Sequence, residues 1–229
     1  MIDLHTTGTA NGYKASIMLE ETGLPYRVID YDLVKGDNFK PEYVAITPVA
    51  RMPAIVDHDV PGGGPVSVYG TAAILFYLAE KTGRFFPADP RTRAKVYEWV
   101  GVVSSDIGPA YSGQFAFNVI APEKIPFAIQ FYDKLCARMV QTLEVRLGQA
   151  PYLAGDEYTI ADMIAYPVAA VSMKRFPGNL DAHPNLARWA AVVRKRTRRR
   201  RRPPWRRGRS PASRSRRARR PARAEPEPD

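Results

Sequence analysis

The sequence predicts two domains of different class, an α/β N-terminal half and an all-helical C-terminal half. Three observations carry this. Up to Tyr69 short alternating apolar runs are interleaved with helical spacing, whereas from Arg91 onward only helical spacing remains. Turn residues punctuate the first half, most clearly in Pro61 to Pro65 (PGGGP). The length of 229 residues, with 45% hydrophobic content, suffices for one large core or two small ones.

Residues 2–5 open the chain as a short buried strand built on Ile2, Leu4 and His5. Residues 6–11 form a polar turn, and from Gly12 onward Tyr13, Ile17, Met18 and Leu19 give a helical face. Residues 24–32 alternate as a second strand, so the unit is β-α-β and its strands are expected to run parallel. Residues 36–48 are a polar loop with a short helix (PEYVAI). Residues 51–57 are a strand entered through Met52-Pro53, a placement proline tolerates at a strand end or edge. Residues 66–69 complete a hairpin with it. Residues 71–81 form a helix stopped by Gly83. Residues 1–85 therefore read β-α-β-α-β-β-α.

In the second half, residues 92–105 are an amphipathic helix, 108–126 a Gly/Pro/aromatic loop, and 127–147 a long helix. Thr159-Ile160-Ala161-Asp162 has the form of a capping box: the Thr159 hydroxyl takes the N–H of residue 162, and Asp162 reaches back to the N–H of residue 159. The helix that follows, 161–173, is nearly all apolar and belongs at the domain centre. Residues 186–193 form a last short helix.

The net charge of +11 describes the end of the chain and not its body. Residues 194–229 hold 17 of the 34 basic side chains and 3 of the 23 acidic ones, which leaves 17 against 20 in residues 1–193. That Arg/Pro/Ala/Ser segment cannot bury enough apolar surface to fold. Its composition is what GC-rich coding DNA yields in a shifted frame, an origin favoured over a selected arm. Nucleic acid is expected to bind it only non-specifically. No apolar run reaches 18 residues, so no membrane span is expected, and no secretory signal is evident. One cysteine, Cys136, excludes an internal disulfide framework and is expected in the core of the long helix. His5, His58 and His183 are scattered without ligand spacing, so no metal is expected.

The turn at 6–11 is the first candidate site. A helix start carries unpaired N–H groups and the positive end of the macrodipole, and the hydroxyl and amide side chains of Thr9 and Asn11 add donors. A thiolate there would be stabilised. On this segment alone the two residues serve equally as simple helix caps.

Four stretches tip that balance. TANGYKASIMLEETGLPYRVIDYDL, ITPVARMPAIVD, VYGTAAILFYLAEKTG and PYLAGDEYTIADMIAYP resemble, in order, the active turn, the cis-proline strand, the third helix and the capped central helix of the cytosolic glutathione S-transferases. The TANG turn resembles the nu-class, disulfide-reductase branch and the yeast nitrogen-regulator-like proteins. The resemblance covers residues 1–193. It implies a thioredoxin-like α/β N-terminal domain (1–85), an all-α helical-bundle domain (91–193) and an appended tail (194–229).

It also implies glutathione as substrate, a homodimer and a cytoplasmic location. Most relatives place Tyr, Ser or Cys in the turn. Here Tyr13 and Ser16 lie past it, so Thr9 and Asn11 are the donors left for the glutathione sulfur. Met52 and Pro53 match the backbone contact to the cysteinyl part, Arg51 faces the glycyl carboxylate, and Asn38 is a further polar contact. Gly70 and Thr71 stand where relatives carry an acid followed by serine. Thr71 keeps the hydroxyl, while the lost acid removes a charge-assisted contact worth about 1.5–3 kcal/mol. Asp106 of a second subunit is the candidate replacement. Val49-Ala50 replaces the Asn and Gly or Asn of relatives. Tyr111, Phe115, Phe117 and Tyr166 are expected around a second-substrate pocket between the domains. The activity implied is glutathione-dependent transfer or disulfide reduction. The alternative is a non-catalytic binding member of the fold with a degraded glutathione site.

Overall fold

The computed structural model describes residues 1–175 and 182–199. Four strands, β1 (Ile2–Thr6), β2 (Tyr26–Asp30), β3 (Ala54–Asp57) and β4 (Val66–Tyr69), form one sheet in the order β2-β1-β3-β4. β1 and β2 run parallel, joined by helix α1 (Ala10–Thr22), as a β-α-β unit requires. β3 is antiparallel to both β1 and β4, and the triglycine turn makes the hairpin. All five residues of β1 are buried, which marks the central strand. Ile2, Leu4 and Ile55 pack into one core with α1 and α3 (Thr71–Thr82). The opposite face carries polar groups: Asp3 is held by Arg27 and His58, and His5 Nδ1 lies 2.8 Å from the Tyr31 hydroxyl. Tyr43, on the short α2 (Pro41–Val44), covers that face.

The second half is helical throughout: α4 (Pro90–Val102), α5 (Gly108–Phe115), α6 (Pro126–Gln149), α7 (Ile160–Arg175) and α8 (Pro184–Arg199). α1, α3 and α7 pack against one another, so the apolar α7 is shared by both halves.

Four local expectations are revised. Residues 108–120, expected as loop, are helical: π-helical segments Val103–Ile107 and Ala116–Ile120 flank α5. The wider turn absorbs Pro109, which lacks an N–H. Gly108 N–H reaches back to Val103 O, and the Ser104 and Ser105 hydroxyls donate to the carbonyls of Val100 and Gly101. α1 starts at Ala10, so Asn11 is its second residue rather than part of the turn. In the cap before α7, Asp162 Oδ2 takes Thr159 N–H at 3.0 Å as expected, but the Thr159 hydroxyl accepts from Ala161 N–H, not residue 162. α8 continues past residue 193 to Arg199 because its last turns are anchored. Arg196 Nε donates to the buried Glu21 of α1 at 2.9 Å, and its guanidinium stacks over Tyr158 at 4.5 Å. Residues 200–229, most of the basic segment, lie outside the described residues. Among the described residues, no helix is long and apolar enough to cross a membrane.

Candidate active site

Strand register builds the site. His5 pairs with Ala54 and Ala54 with Tyr69, so the end of β1, the start of β3 and the end of β4 lie side by side at one sheet edge. Thr6-Thr7, Met52-Pro53 and Gly70-Thr71 are therefore neighbours in space. The chain leaves β1 for α1 and β4 for α3 at that same edge. Two helix N-termini thus meet there, and neither has an acidic residue in its first turn.

Thr9 is the N-cap of α1. Its Oγ1 accepts from Gly12 N–H at 3.2 Å, which leaves the hydroxyl proton free to donate outward. The amides of Ala10 and Asn11 have no backbone acceptor, and the exposed Asn11 side chain makes no hydrogen bond among the described residues. Ser16 is excluded as a thiol donor because its hydroxyl is buried and bonded to Gly12 O. Gly12 was not singled out by the sequence reading, yet the turn depends on it. A Cβ there would sit 2.3 Å from Thr7 O and 2.4 Å from Thr6 Oγ1. Two residues on, Lys14 is 3% exposed, on the packed side of α1, and was also missed. Its signal in the sequence was a lone cation four residues before the core residue Met18.

The Met52–Pro53 bond is cis. Two side chains hold the loop before it: Tyr43 OH donates to Arg51 O and Asn38 Nδ2 donates to Ala50 O, both at 2.9 Å. Asn38 thus acts by holding the loop. The Met52 N–H and C=O have no backbone partner among the described residues, and the Arg51 side chain is exposed. At the start of α3, Gly70 has φ 82° with nothing within 4 Å of an added Cβ. The amides of Thr71, Ala72 and Ala73 have no side-chain cap. The open space at Gly70 would admit a longer side chain, but the positive φ strains any residue other than glycine.

Among the described residues, no cluster of His, Cys, Asp or Glu could hold a metal ion. Cys136 is buried on α6, and burial pushes its thiol up to about 12, so it is no nucleophile. The aromatics expected around a second-substrate pocket are mostly packed. Tyr111 is 7% exposed in the helical core, Phe117 stacks on Tyr132, and Tyr166 meets Trp189 edge-on. Helical rather than looped geometry at 108–120 turns Tyr111 inward. Phe115 is half-buried.

An α/β domain with a cis-proline between two open helix starts, joined to a helical bundle, defines a thioredoxin-like protein with a helical second domain. Comparisons agree. The glutathione S-transferase N-terminal domain model matches residues 3–80 and its C-terminal domain model matches 133–196. The chain is 40% identical over 198 residues to the Escherichia coli disulfide-bond oxidoreductase YfcG, covering 86% of this chain and 91% of the relative. A glutathione transferase family member from Pseudomonas fluorescens, solved with two glutathione molecules bound, superposes with TM-score 0.81 at 30% identity, covering 86% and 91% of the two chains. A Phanerochaete chrysosporium glutathione transferase in complex with oxidised glutathione gives 0.79 at 30% identity, covering 85% and 91%. The chain belongs to the glutathione S-transferase family.

Proposed function

We infer that this chain is a glutathione-dependent transferase or disulfide reductase in which Thr9 and Asn11 activate the glutathione thiol. The observation that carries the reading is the start of α1. Among the described residues, a capping hydroxyl, an unengaged amide side chain and two open backbone amides stand there, with no acidic residue in the first turn of the helix. Such donors favour thiolate over thiol. The thiol loses its proton to solvent, and the thiolate attacks one sulfur of a disulfide. That S–S bond breaks as the mixed disulfide forms, and the leaving sulfur takes up a proton. A second glutathione thiolate displaces the remaining thiol. Two glutathiones are then oxidised and one disulfide is reduced. Attack on an electrophilic carbon uses the same thiolate.

In this reading Met52 offers its backbone to the cysteinyl part of glutathione, behind Pro53. Arg51 faces the glycyl carboxylate. Thr71 and the α3 amides take the γ-glutamyl carboxylate, and the half-buried Phe115 meets a second substrate. The exposed Val34 and Phe39 on one half and Phe127 and Phe131 on the other suit burial by a second copy, which supports a homodimer. A cytoplasmic location belongs to the same reading. Residues 1–85 and 91–193 are its two domains, with α8 adding the turn that carries Arg196.

The test is glutathione-dependent reduction of a small disulfide by wild type, T9A and N11A. A drop of about tenfold or more in kcat/KM for each variant is expected. Unchanged turnover in both would overturn the assignment. The empty side-chain position at Gly70 favours a second reading, a non-catalytic member of the fold with a degraded glutathione site. Titration calorimetry separates the two, because a folded protein with no saturable binding of reduced or oxidised glutathione is no enzyme of this kind.

A further inference from the structure

The chain reaches the cis-proline through a bend that its backbone does not favour. Ala50 has φ 50°, in the left-handed region that residues with a Cβ rarely adopt. The side chains of Pro48, Val49 and Arg51 are exposed, so their packing does not impose the bend. Hydrogen bonds do. Ala50 N–H donates to Thr47 O at 3.1 Å. The next two carbonyls are each taken by a side chain, Ala50 O by Asn38 Nδ2 and Arg51 O by the Tyr43 hydroxyl, both at 2.9 Å. Tyr43 is itself held in place. It is buried, and its ring centroid lies 4.7 Å from that of Tyr31 and 6.2 Å from that of His5. The Tyr31 hydroxyl in turn lies 2.8 Å from His5 Nδ1 on the central strand. Burial pushes the Tyr43 phenol up, so it keeps its proton and stays a donor.

Peptide geometry carries the consequence. A trans peptide is planar, and its C=O and N–H point in opposite directions. Arg51 C=O and Met52 N–H belong to one such peptide, since the cis bond is the next one along. Holding Arg51 O toward the buried Tyr43 therefore turns Met52 N–H away from it, and that N–H has no backbone partner among the described residues. Asn38 fixes the preceding peptide in the same way. Two successive peptide planes are thus set by side chains of residues 38 and 43.

We propose that Tyr43 and Asn38 are positioning residues of the glutathione site, which act through the two peptides between Ala50 and Met52 to aim the Met52 N–H at the carbonyl of the bound cysteinyl residue. Neither touches the ligand. The proposal rests on the glutathione reading given above and deepens it. It gives Asn38 a different role from the direct polar contact expected from the sequence. Thr9 and Asn11, the sulfur donors, stand on α1, so the clamp governs glutathione affinity and not the thiol step.

The test compares full-length wild type, Y43F, N38A and the double variant N38A/A50G. Disulfide reduction gives kcat and KM for glutathione, calorimetry gives the affinity, hydrogen exchange of the Ala50 amide without ligand reports the bend, and thermal melting reports folding. Y43F and N38A are each expected to weaken affinity and raise KM about five- to tenfold, as loss of one hydrogen bond would. Their kcat at saturating glutathione should stay within about twofold of wild type. Exchange at Ala50 should be faster in both. A50G should recover most of the KM lost in N38A, because glycine keeps a left-handed bend without the clamp. A fall in kcat at unchanged KM overturns the proposal. So does an N38A/A50G protein that keeps the KM of N38A, which marks Asn38 as a direct contact. A Y43F protein with a lower melting temperature and wild-type KM marks a structural tyrosine and overturns it too. In these three cases wild type still binds glutathione and the glutathione reading stands. Wild type that binds no glutathione removes that reading, and the proposal with it.

Discussion

Two helices of this protein, α1 and α7, are preceded by a threonine whose hydroxyl caps the first turn, and the two starts are used in opposite ways. At the start of α7 the donors are consumed internally. Asp162 takes the amides of Leu153 and Thr159, the Trp189 indole N–H and, at longer range, the Thr159 hydroxyl. Burial pushes its carboxyl up, and those hydrogen bonds oppose the push. The start of α8 is closed similarly, by Glu144 accepting from the amides of Asn185 and Leu186. At the start of α1 there is a threonine cap but no acid, and at the start of α3 neither. A helix start filled by the chain's own carboxylate serves folding. One left open, beside a cis-proline and a second open start, is available to an anion from outside.

Emptying the closed start should produce the largest effect. D162A strands several buried donors, and a loss of roughly 3 kcal/mol or more is expected, read as a shifted urea midpoint at unchanged m. Next comes the turn that keeps the other start open. G12A forces a Cβ onto Thr7 O and Thr6 Oγ1. It should cost about 2 kcal/mol and abolish glutathione turnover, because Thr9 and Asn11 are displaced together. A G12A protein with normal melting and activity would mean the turn does not govern the site.

Filling the open start is the sharper test. N11D places a carboxylate at the second residue of α1, where the macrodipole favours it by about 0.3–1 kcal/mol. Thermal stability should hold or rise while turnover falls, since the new charge repels the thiolate. Equal turnover in N11D and wild type would break the comparison.

The smallest effect concerns a carboxylate held by a cation rather than by amides. The Arg27 guanidinium holds the Asp3 carboxyl down at about 2. A depressed folded value means a contribution present above the ordinary carboxylate range and lost as pH falls through the folded value. D3N should therefore lose some stability at neutral pH. It should also show a flatter stability profile between about pH 4 and pH 2 than wild type, checked by acid titration of the melting temperature.

Much of the fold was legible because its signals are local. Alternation marked the strands, the triglycine turn marked the hairpin, and T-x-x-D marked the start of α7. The β-α-β rule made β1 and β2 parallel without reference to any contact. Thr9 and Asn11 were legible as candidates because caps and polar turns are short-range chemistry. Residues 108–120 were misread because glycine and proline signal a break, and only the π-turn geometry, in which Gly108 N–H reaches back to Val103 O, keeps that helix continuous. The sequence by itself determined most of the elements, the family and the candidate thiol donors. Tertiary structure alone decided that Thr7, Pro53 and Gly70 share one sheet edge, that Arg196 anchors α8 on Glu21, and that Lys14 lies on the packed side of α1. The reason is physical: burial and strand register depend on pairings between residues tens to well over a hundred positions apart, and no local window of sequence contains both partners.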